Sequence, residues 1–221
     1  GAPLLPYVFE FTIKAPEGIA EFSNEVRYSV LGMPVDIEVC DLDLDGDPDI
    51  VTLSQDTIMI WRNDVDSLVP VDTIHSPSSQ YCIAILDLDL DGLPDIVVDS
   101  TPSSAPYGIK FYKNQGGLNF DWGFWCQTAY SVTDMFVSDF DGDGDFDIAA
   151  LELTQVEILL NEGFFNFTSS DTIDLTFSHN KLYGADYNND GLIDLVSTIA
   201  AGTPGYDVLA NEGDGKFKHI G

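Results

Sequence analysis

Basic residues are scarce in this chain of 221 residues, which has eight Lys and Arg against 38 Asp and Glu and a formal net charge of −30. Nucleic-acid binding depends on clustered Lys and Arg that neutralise phosphates, so this composition argues against a nucleic-acid partner. An anionic membrane surface is disfavoured for the same reason. Apolar runs of the 18 or more residues that a membrane-spanning helix needs are absent, so we expect no membrane insertion.

Cysteine is equally rare. The three cysteines, Cys40, Cys82 and Cys126, are an odd number without the spacing of a disulfide framework. We interpret them as buried thiols, with one disulfide and a leftover thiol as the alternative. The chain begins at Gly1 rather than Met and shows no signal peptide, which favours a processed chain or a segment of a longer one.

One acidic pattern, D-x-[DN]-x-D-G-x-x-D-[IL], occurs four times. Its copies begin at Asp41, Asp87, Asp139 and Asp186, so successive copies start 46, 52 and 47 residues apart. Repeats of this length indicate an array of similar supersecondary units.

Short alternating or apolar runs surround each acidic segment and predict four short strands in every unit. No segment shows a sustained period of 3.6 residues, so essentially no helix is expected. Four-stranded units that repeat at this spacing are typical of β-propeller blades, which must stack because one blade cannot bury both of its faces. We therefore predict an all-β, propeller-like array of about four and a half blades, with the acidic segments connecting the first and second strands.

A second signature sets the boundaries of the units within one repeat domain. Each third strand ends in Asn, and an apolar residue follows six positions later, in the pairs Asn63/Val69, Asn114/Phe120, Asn161/Phe167 and Asn211/Phe217. The resulting domain covers residues 1–221. It comprises a half blade at 1–35, full blades at 36–79, 80–130 and 131–178, and an incomplete last blade at 179–221 that lacks its outer strand.

The acidic loops predict metal sites. Asp at positions 1, 3, 5 and 9 directs carboxylates to the inside of a tight loop, and Gly at position 6 permits the positive φ that the turn needs. Hard oxygen ligands suit Ca²⁺, whereas zinc would favour His or Cys. An EF-hand is excluded because its Glu at position 12 is replaced by Thr52, Val98, Ala150 and Ser197.

We thus expect about four structural Ca²⁺ ions, each held by side chains at positions 1, 3, 5 and 9 and by the carbonyl at position 7. The ligands are Asp41, Asp43, Asp45, Asp47 and Asp49 in the first loop; Asp87, Asp89, Asp91, Leu93 and Asp95 in the second; Asp139, Asp141, Asp143, Asp145 and Asp147 in the third; and Asp186, Asn188, Asp190, Leu192 and Asp194 in the fourth. Asn188 removes one charge, so the fourth site should bind more weakly.

These loops resemble the FG-GAP/VCBS repeats, whose calcium loops connect the first two strands of blades in integrin-α-type propellers. The resemblance covers nearly the whole chain. It implies structural calcium and an extracellular or cell-surface protein that serves as a binding or adhesion module. Its partner would be an extracellular protein or a glycan.

Two other functions stay open. Incomplete terminal blades leave unpaired edges, so the chain could be a structural subunit that joins copies of itself into a filament or surface assembly. A polysaccharide-cleaving enzyme is less favoured, because the histidines His75, His179 and His219 share no motif with a nucleophile and basic residues are few. We expect no enzymatic activity.

Two further features bear on ligands. The aromatic residues Trp61, Trp122, Trp125, Tyr107 and Tyr112 fall in or beside the third and fourth strands of the first two units. They are interpreted as packing between sheets, with a sugar-stacking or partner-binding patch as the alternative. Asn166 begins the single N-x-[ST] sequon and is a candidate glycosylation site.

Overall fold

The computed structural model describes residues 28–64, 67–103, 105–200 and 204–220. These residues form four antiparallel sheets, each of four strands in sequence order. The described part of the chain contains strands and turns only, so it offers no helix that could cross a membrane. The prediction of an all-β array of four-stranded blades is confirmed.

The strands of the first sheet are β1 (Pro34–Cys40), β2 (Asp49–Ser54), β3 (Thr57–Asp64) and β4 (Ser67–His75). The second sheet contains β5 (Ile83–Leu86), β6 (Asp95–Ser100), β7 (Tyr107–Asn114) and β8 (Phe120–Thr128). The third contains β9 (Asp134–Ser138), β10 (Asp147–Leu151), β11 (Gln155–Asn161) and β12 (Phe167–Asp174). The fourth contains β13 (His179–Ala185), β14 (Asp194–Ile199), β15 (Tyr206–Gly213) and β16 (Lys216–His219).

The two ends of the array differ from the prediction. The last blade does not lack its outer strand, because Lys216–His219 pairs with β15 as a short fourth strand. At the other end, Pro34 and Val35 belong to β1 rather than to a preceding half blade. The remainder of the predicted half blade falls mostly on residues 1–27, which lie outside the described residues.

The asparagine and the apolar residue six positions later pair directly across the third and fourth strands in three sheets. Asn114 lies directly opposite Phe120, Asn161 opposite Phe167 and Asn211 opposite Phe217. In the first sheet Asn63 lies opposite Leu68, one residue before Val69.

Three apolar cores hold neighbouring sheets together. Leu53, Ile58 and Ile83 belong to the core between the first and second sheets. Equivalent cores join the second sheet to the third and the third to the fourth. The second strands β6 and β10 are buried at every residue, because each is covered on both faces by a neighbouring sheet. Apolar burial between blades is therefore the main stabilising term of the array.

The first strands of successive sheets also contact one another. The Asp36 carboxylate accepts a hydrogen bond from the backbone N–H of Ile83 (3.1 Å), and Asp134 accepts one from Leu182 (2.8 Å). Gly184 lies so close to Phe136 that a Cβ atom there would be 2.2 Å from the ring. These contacts place β1, β5, β9 and β13 side by side along one edge of the array.

Candidate metal centres and the loop-bearing end

Each acidic loop connects the first strand of a sheet to the second, as predicted. Strand direction alternates in an antiparallel sheet, so the turn between the third and fourth strands lies at the same end as the acidic loop. Gly163, in such a turn of the third sheet, is close to Asp145 of the acidic loop: a Cβ atom there would be 3.9 Å from Asp145 Oδ2. Side-chain hydrogen bonds also join this end of the second, third and fourth sheets to the acidic loop of the preceding sheet. All four acidic loops therefore belong to one end of the array, which we call the loop-bearing end.

Hydrogen bonds to the aspartate at position 1 fold each loop. In the first loop Asp41 Oδ1 accepts a hydrogen bond from the N–H of Asp45 (3.1 Å), and its Oδ2 accepts one from Gly46 (3.0 Å). Gly46 has a φ of 98°, a conformation that few other residues adopt without strain. Asp87 and Asp186 accept the corresponding pairs of bonds in the second and fourth loops. In the third loop Asp139 accepts its two bonds from Gly142, at position 4, and from Gly144, at position 6.

The aspartate at position 9 is buried in every loop and closes it. Asp147 Oδ2 accepts a hydrogen bond from Phe140 N–H (2.8 Å) and its Oδ1 accepts one from Asn161 N–H (2.9 Å). Asp49, Asp95 and Asp194 make the same two contacts. Burial is the main cause that raises the pKa of Asp95 to about 6 and of Asp147 to about 7. A nearby cation would favour the ionised form of these carboxylates.

Three loops bring carboxylates close enough to share an ion. The groups are Asp41, Asp43 and Asp45; Asp87, Asp89 and Asp95; and Asp139, Asp141 and Asp147, and within each group one oxygen from every residue lies within 4.8 Å of the others. Buried oxygens without a hydrogen-bond partner occur in two of them, at Asp43 Oδ1 and Asp89 Oδ1. These groups could hold a metal ion, and an all-oxygen donor set is the kind that Ca²⁺ prefers.

The groups include only part of the predicted ligand set. Asp49 in the first loop, Asp91 in the second and Asp143 in the third fall outside the closest groupings. The carbonyl ligands at Asp47, Leu93, Asp145 and Leu192 stay predictions, as do the full sets of four side chains.

The fourth loop has the same backbone arrangement with less charge. Asn188 occupies position 3, and its Nδ2 donates to Asp190 Oδ2 (2.7 Å). The three carboxylates of this loop, Asp186, Asp190 and Asp194, do not form a close group of the kind found in the other three loops. This difference is consistent with the expected weaker site.

The side chain of Lys113 in β7, which the sequence interpretation missed, reaches the second acidic loop. The Lys113 ammonium contacts the carboxylates of Asp89 and Asp91, the latter at 2.6 Å, and lowers the pKa of Asp91. Arg62 occupies the equivalent place in the first sheet but pairs with Asp64. The available signal was position, because each basic residue directly precedes the asparagine at or next to the end of a third strand.

Two of the three histidines lie together in the fourth sheet. His179 Nε2 is 3.1 Å from Asp207 Oδ2, and His219 Nε2 is 3.3 Å from Asp207 Oδ1. His179 is buried, and burial lowers its pKa. No sequence motif joins these residues; they meet because β13 and β15 begin, and β16 ends, at the end of the sheet opposite its acidic loop.

The aromatic residues and the candidate glycosylation site differ in their exposure to solvent. Tyr112 is buried in the core between the first and second sheets, and Trp61 is buried in the first sheet beside Tyr28 and Thr52. Trp122 and Trp125 are 63% and 41% exposed. Tyr107 is half-buried and Asn166 is exposed in the turn before β12.

All three cysteines are free thiols; Cys82 is buried and the other two are half-buried. Burial raises the pKa of both Cys40 and Cys126 to about 11, which makes these thiols poor nucleophiles at neutral pH.

The sheets and their acidic loops define a β-propeller-type repeat protein. A family model described as the FG-GAP-like repeat matches residues 41–98 and 139–197, and this chain belongs to the FG-GAP-like repeat family. A search of curated protein sequences gives no significant match.

Solved structures with the same fold are distant in sequence. A lectin from Agrocybe aegerita, described as specifically recognising non-reducing terminal N-acetylglucosamine, is 21% identical with a TM-score of 0.58 over 83% of this chain and 51% of the lectin. The Photorhabdus luminescens Tc holotoxin pore is 16% identical with a TM-score of 0.52 over 83% of this chain and 9% of the toxin chain. The chain thus spans about half the length of the lectin. At these identities the comparisons show the fold alone.

Proposed function

We propose that this chain is an extracellular, calcium-stabilised propeller array that serves as a non-enzymatic binding or adhesion module for a glycan or protein ligand. In this proposal about four Ca²⁺ ions occupy the acidic loops through the predicted ligands. They supply positive charge that offsets the carboxylates, while the ligand-binding surface lies elsewhere.

The observation that carries the binding role is a pair of exposed tryptophans on β8. Trp122 lies opposite Tyr112 and Trp125 opposite Lys110 in the ladder with β7. Tyr112 and Lys110 are two residues apart on one strand, so both tryptophans are on the same face of the second sheet. Tyr112 belongs to the core shared with the first sheet, so this face is directed towards the first sheet.

The surroundings of Trp125 favour a glycan over a protein. A Cβ atom at Gly108 would lie 2.6 Å from Trp125 Nε1, so the indole rests against the bare backbone and is held in place. On the same face the Lys110 ammonium donates to the Ser76 and Ser78 hydroxyls, each at 2.8 Å. A fixed, partly exposed aromatic ring beside polar groups can contact the apolar side of a sugar and hydrogen-bond its hydroxyls.

Binding of N-acetylglucosamine oligomers, followed by a wider glycan array, tests this proposal. We expect Trp125→Ala and Trp122→Ala to reduce retention of the glycan, because each removes a stacking ring. Tyr206→Ala is the matched control, since Tyr206 is equally exposed (64%) but lies in the fourth sheet. Equal retention by the tryptophan variants, or no retention of any glycan by the parent chain, would contradict the glycan proposal and favour a protein ligand.

A structural subunit is the second candidate, and the outward faces of the terminal sheets favour it. Ile37 on the first sheet is 56% exposed and borders a hollow of about 530 Å³. Tyr183 and Tyr206 on the fourth sheet are 55% and 64% exposed. Head-to-tail packing of copies would bury these faces. Light scattering and electron microscopy should then show polymers at high concentration, whereas a compact monomer would exclude this function.

A further inference from the structure

Three asparagines connect acidic loops that belong to neighbouring sheets. Asn114 and Asn161 end the third strands β7 and β11, Asn211 lies two residues before the end of β15, and all three are buried. Their side-chain amides donate to a backbone carbonyl in the acidic loop of the preceding sheet: Asn114 to Leu42 (2.9 Å), Asn161 to Leu88 (3.0 Å) and Asn211 to Phe140 (3.0 Å).

The same residues also hold the loop of their own sheet. The backbone N–H of Asn161 donates to the position-9 aspartate Asp147 at 2.9 Å, and Asn114 and Asn211 make the equivalent bond at the same distance. The Asn161 side-chain oxygen accepts the N–H of Gly163, which fixes the rotamer that points the amide at the preceding sheet. Each asparagine is therefore bound on one side to its own loop and on the other to the preceding loop.

The carbonyl that receives the amide belongs to position 2, between two predicted metal ligands. Leu88 occupies this position in the second loop; its side chain is buried, and its N–H donates to the position-9 aspartate Asp95 (3.1 Å). A continuous hydrogen-bonded path thus runs from Asp147 through Asn161 and Leu88 to Asp95. The same path exists between the first and second loops and between the third and fourth.

We propose that each of these asparagines is a positioning residue for the cation site of the preceding sheet and couples the loading of neighbouring loops. This inference rests on the proposed calcium binding. A fixed position-2 peptide keeps the flanking carboxylates at positions 1 and 3 in their binding arrangement, which lowers the entropy that binding must overcome. Coupling of this kind is reciprocal, so loading one loop also strengthens the contact with the next sheet.

The fourth loop provides an internal contrast. Its position-2 residue, Tyr187, is 50% exposed, and no asparagine from a following sheet reaches it in the described part of the chain. Position 2 is buried in the other loops, as Leu42, Leu88 and Phe140. The fourth loop thus lacks the asparagine contact at position 2 and carries one charge fewer because of Asn188. We therefore expect it to have the lowest calcium affinity of the four loops.

Calcium titration by calorimetry of Asn161→Asp and Asn161→Ala tests the coupling. The two variants share the loss of the amide donor, and only the first adds charge. We expect the second loop to bind calcium about 2- to 12-fold more weakly, the factor that corresponds to one neutral hydrogen bond. Asn119→Asp and Asn119→Ala are the controls, because Asn119 is exposed in a turn at the loop-bearing end. Unfolding in a chelator verifies that every variant folds.

Loop-disabled backgrounds assign the effect to one site. With the second loop disabled by Asp89→Asn, the Asn161 variants should have no further effect on calcium affinity. With the third loop disabled by Asp141→Asn, the Asn161 variants should still weaken calcium binding by the second loop, but by less than in the parent chain, because the part that depends on coupling to the third loop is lost. The reverse pattern, or titrations identical to the parent chain, would overturn the inference. A parent chain that binds no calcium would instead refute the proposed function.

Discussion

Removal of calcium should destabilise this chain by an amount comparable to its whole stability. An extracellular type of site with a Kd on the order of 10⁻⁴ M stabilises the folded state by about 1.4 kcal/mol at millimolar calcium. Four acidic loops would contribute about 6 kcal/mol, whereas domains of ordinary size unfold at a cost of about 5–15 kcal/mol. We therefore expect the chelated protein to be marginally stable or unfolded at 37 °C.

The dependence on calcium concentration also counts the sites. Above the Kd, each tenfold rise in free calcium adds about 1.4 kcal/mol per site, so four sites give about 5.5 kcal/mol per decade. Urea unfolding followed by circular dichroism at buffered calcium concentrations measures this slope. Asp141→Asn should lower it by about one site, and the exposed Asp121→Asn is the control. Magnesium should replace calcium poorly, because it demands a stricter octahedral shell.

If a chelator leaves the unfolding midpoint unchanged, the inference of metal sites from the carboxylate geometry is wrong. A slope near one site would show that a single loop is loaded, contrary to the repeated hydrogen bonding at positions 1 and 9. Equal stabilisation by magnesium would show that the loops respond to charge alone, without the selectivity of a coordinating site.

Three further changes probe packing, strain and ionisation. Gly184→Ala should destabilise by about 1–3 kcal/mol in urea unfolding, because the new methyl group meets the Phe136 ring. Gly123→Ala, with open space around it, should be near neutral. Phe164→Asn should raise the free energy of unfolding by about 0.5–1 kcal/mol. Phe164 has a φ of 53°, a left-handed conformation that Asn adopts more easily, and its ring is 81% exposed. A decrease in stability would indicate that the ring contributes packing. Burial raises the pKa of Glu152 from 4.5 to about 7, so the folded state binds this proton more tightly than the unfolded state does. The stability that the protonated carboxyl provides is therefore lost as the pH rises from 4.5 through about 7. In thermal melts with saturating calcium, the melting temperature of Glu152→Gln should therefore rise relative to that of the parent chain between pH 5 and 8. A difference in melting temperature that does not change with pH would contradict this.

Local periodicity was enough to predict the sheets. Asp spacing and Gly at position 6 locate the connections between first and second strands, and the interval from Asn161 to Phe167 gives the register of a hairpin. Such signals lie within one unit, where the sequence separation is small.

Contacts between units could not be predicted in the same way. Asn161 and Leu88 are 73 residues apart, and their contact depends on how two sheets pack. The pairing of His179 and His219 with Asp207 likewise depends on strand direction. The last strand was missed because the four residues of Lys216–His219 are too few for an alternating pattern to be distinguished from a turn.

The shared end of the acidic loops makes the molecule electrostatically polar. The four loops hold 17 of the 38 carboxylates of the chain. Four divalent ions would add eight positive charges at that end, against a formal net charge of −30. The long-range field that attracts or repels an approaching partner would then weaken most on the loop-bearing side, and more so at low ionic strength. Calcium would in this way set the direction from which charged molecules approach the protein, in addition to its effect on folding.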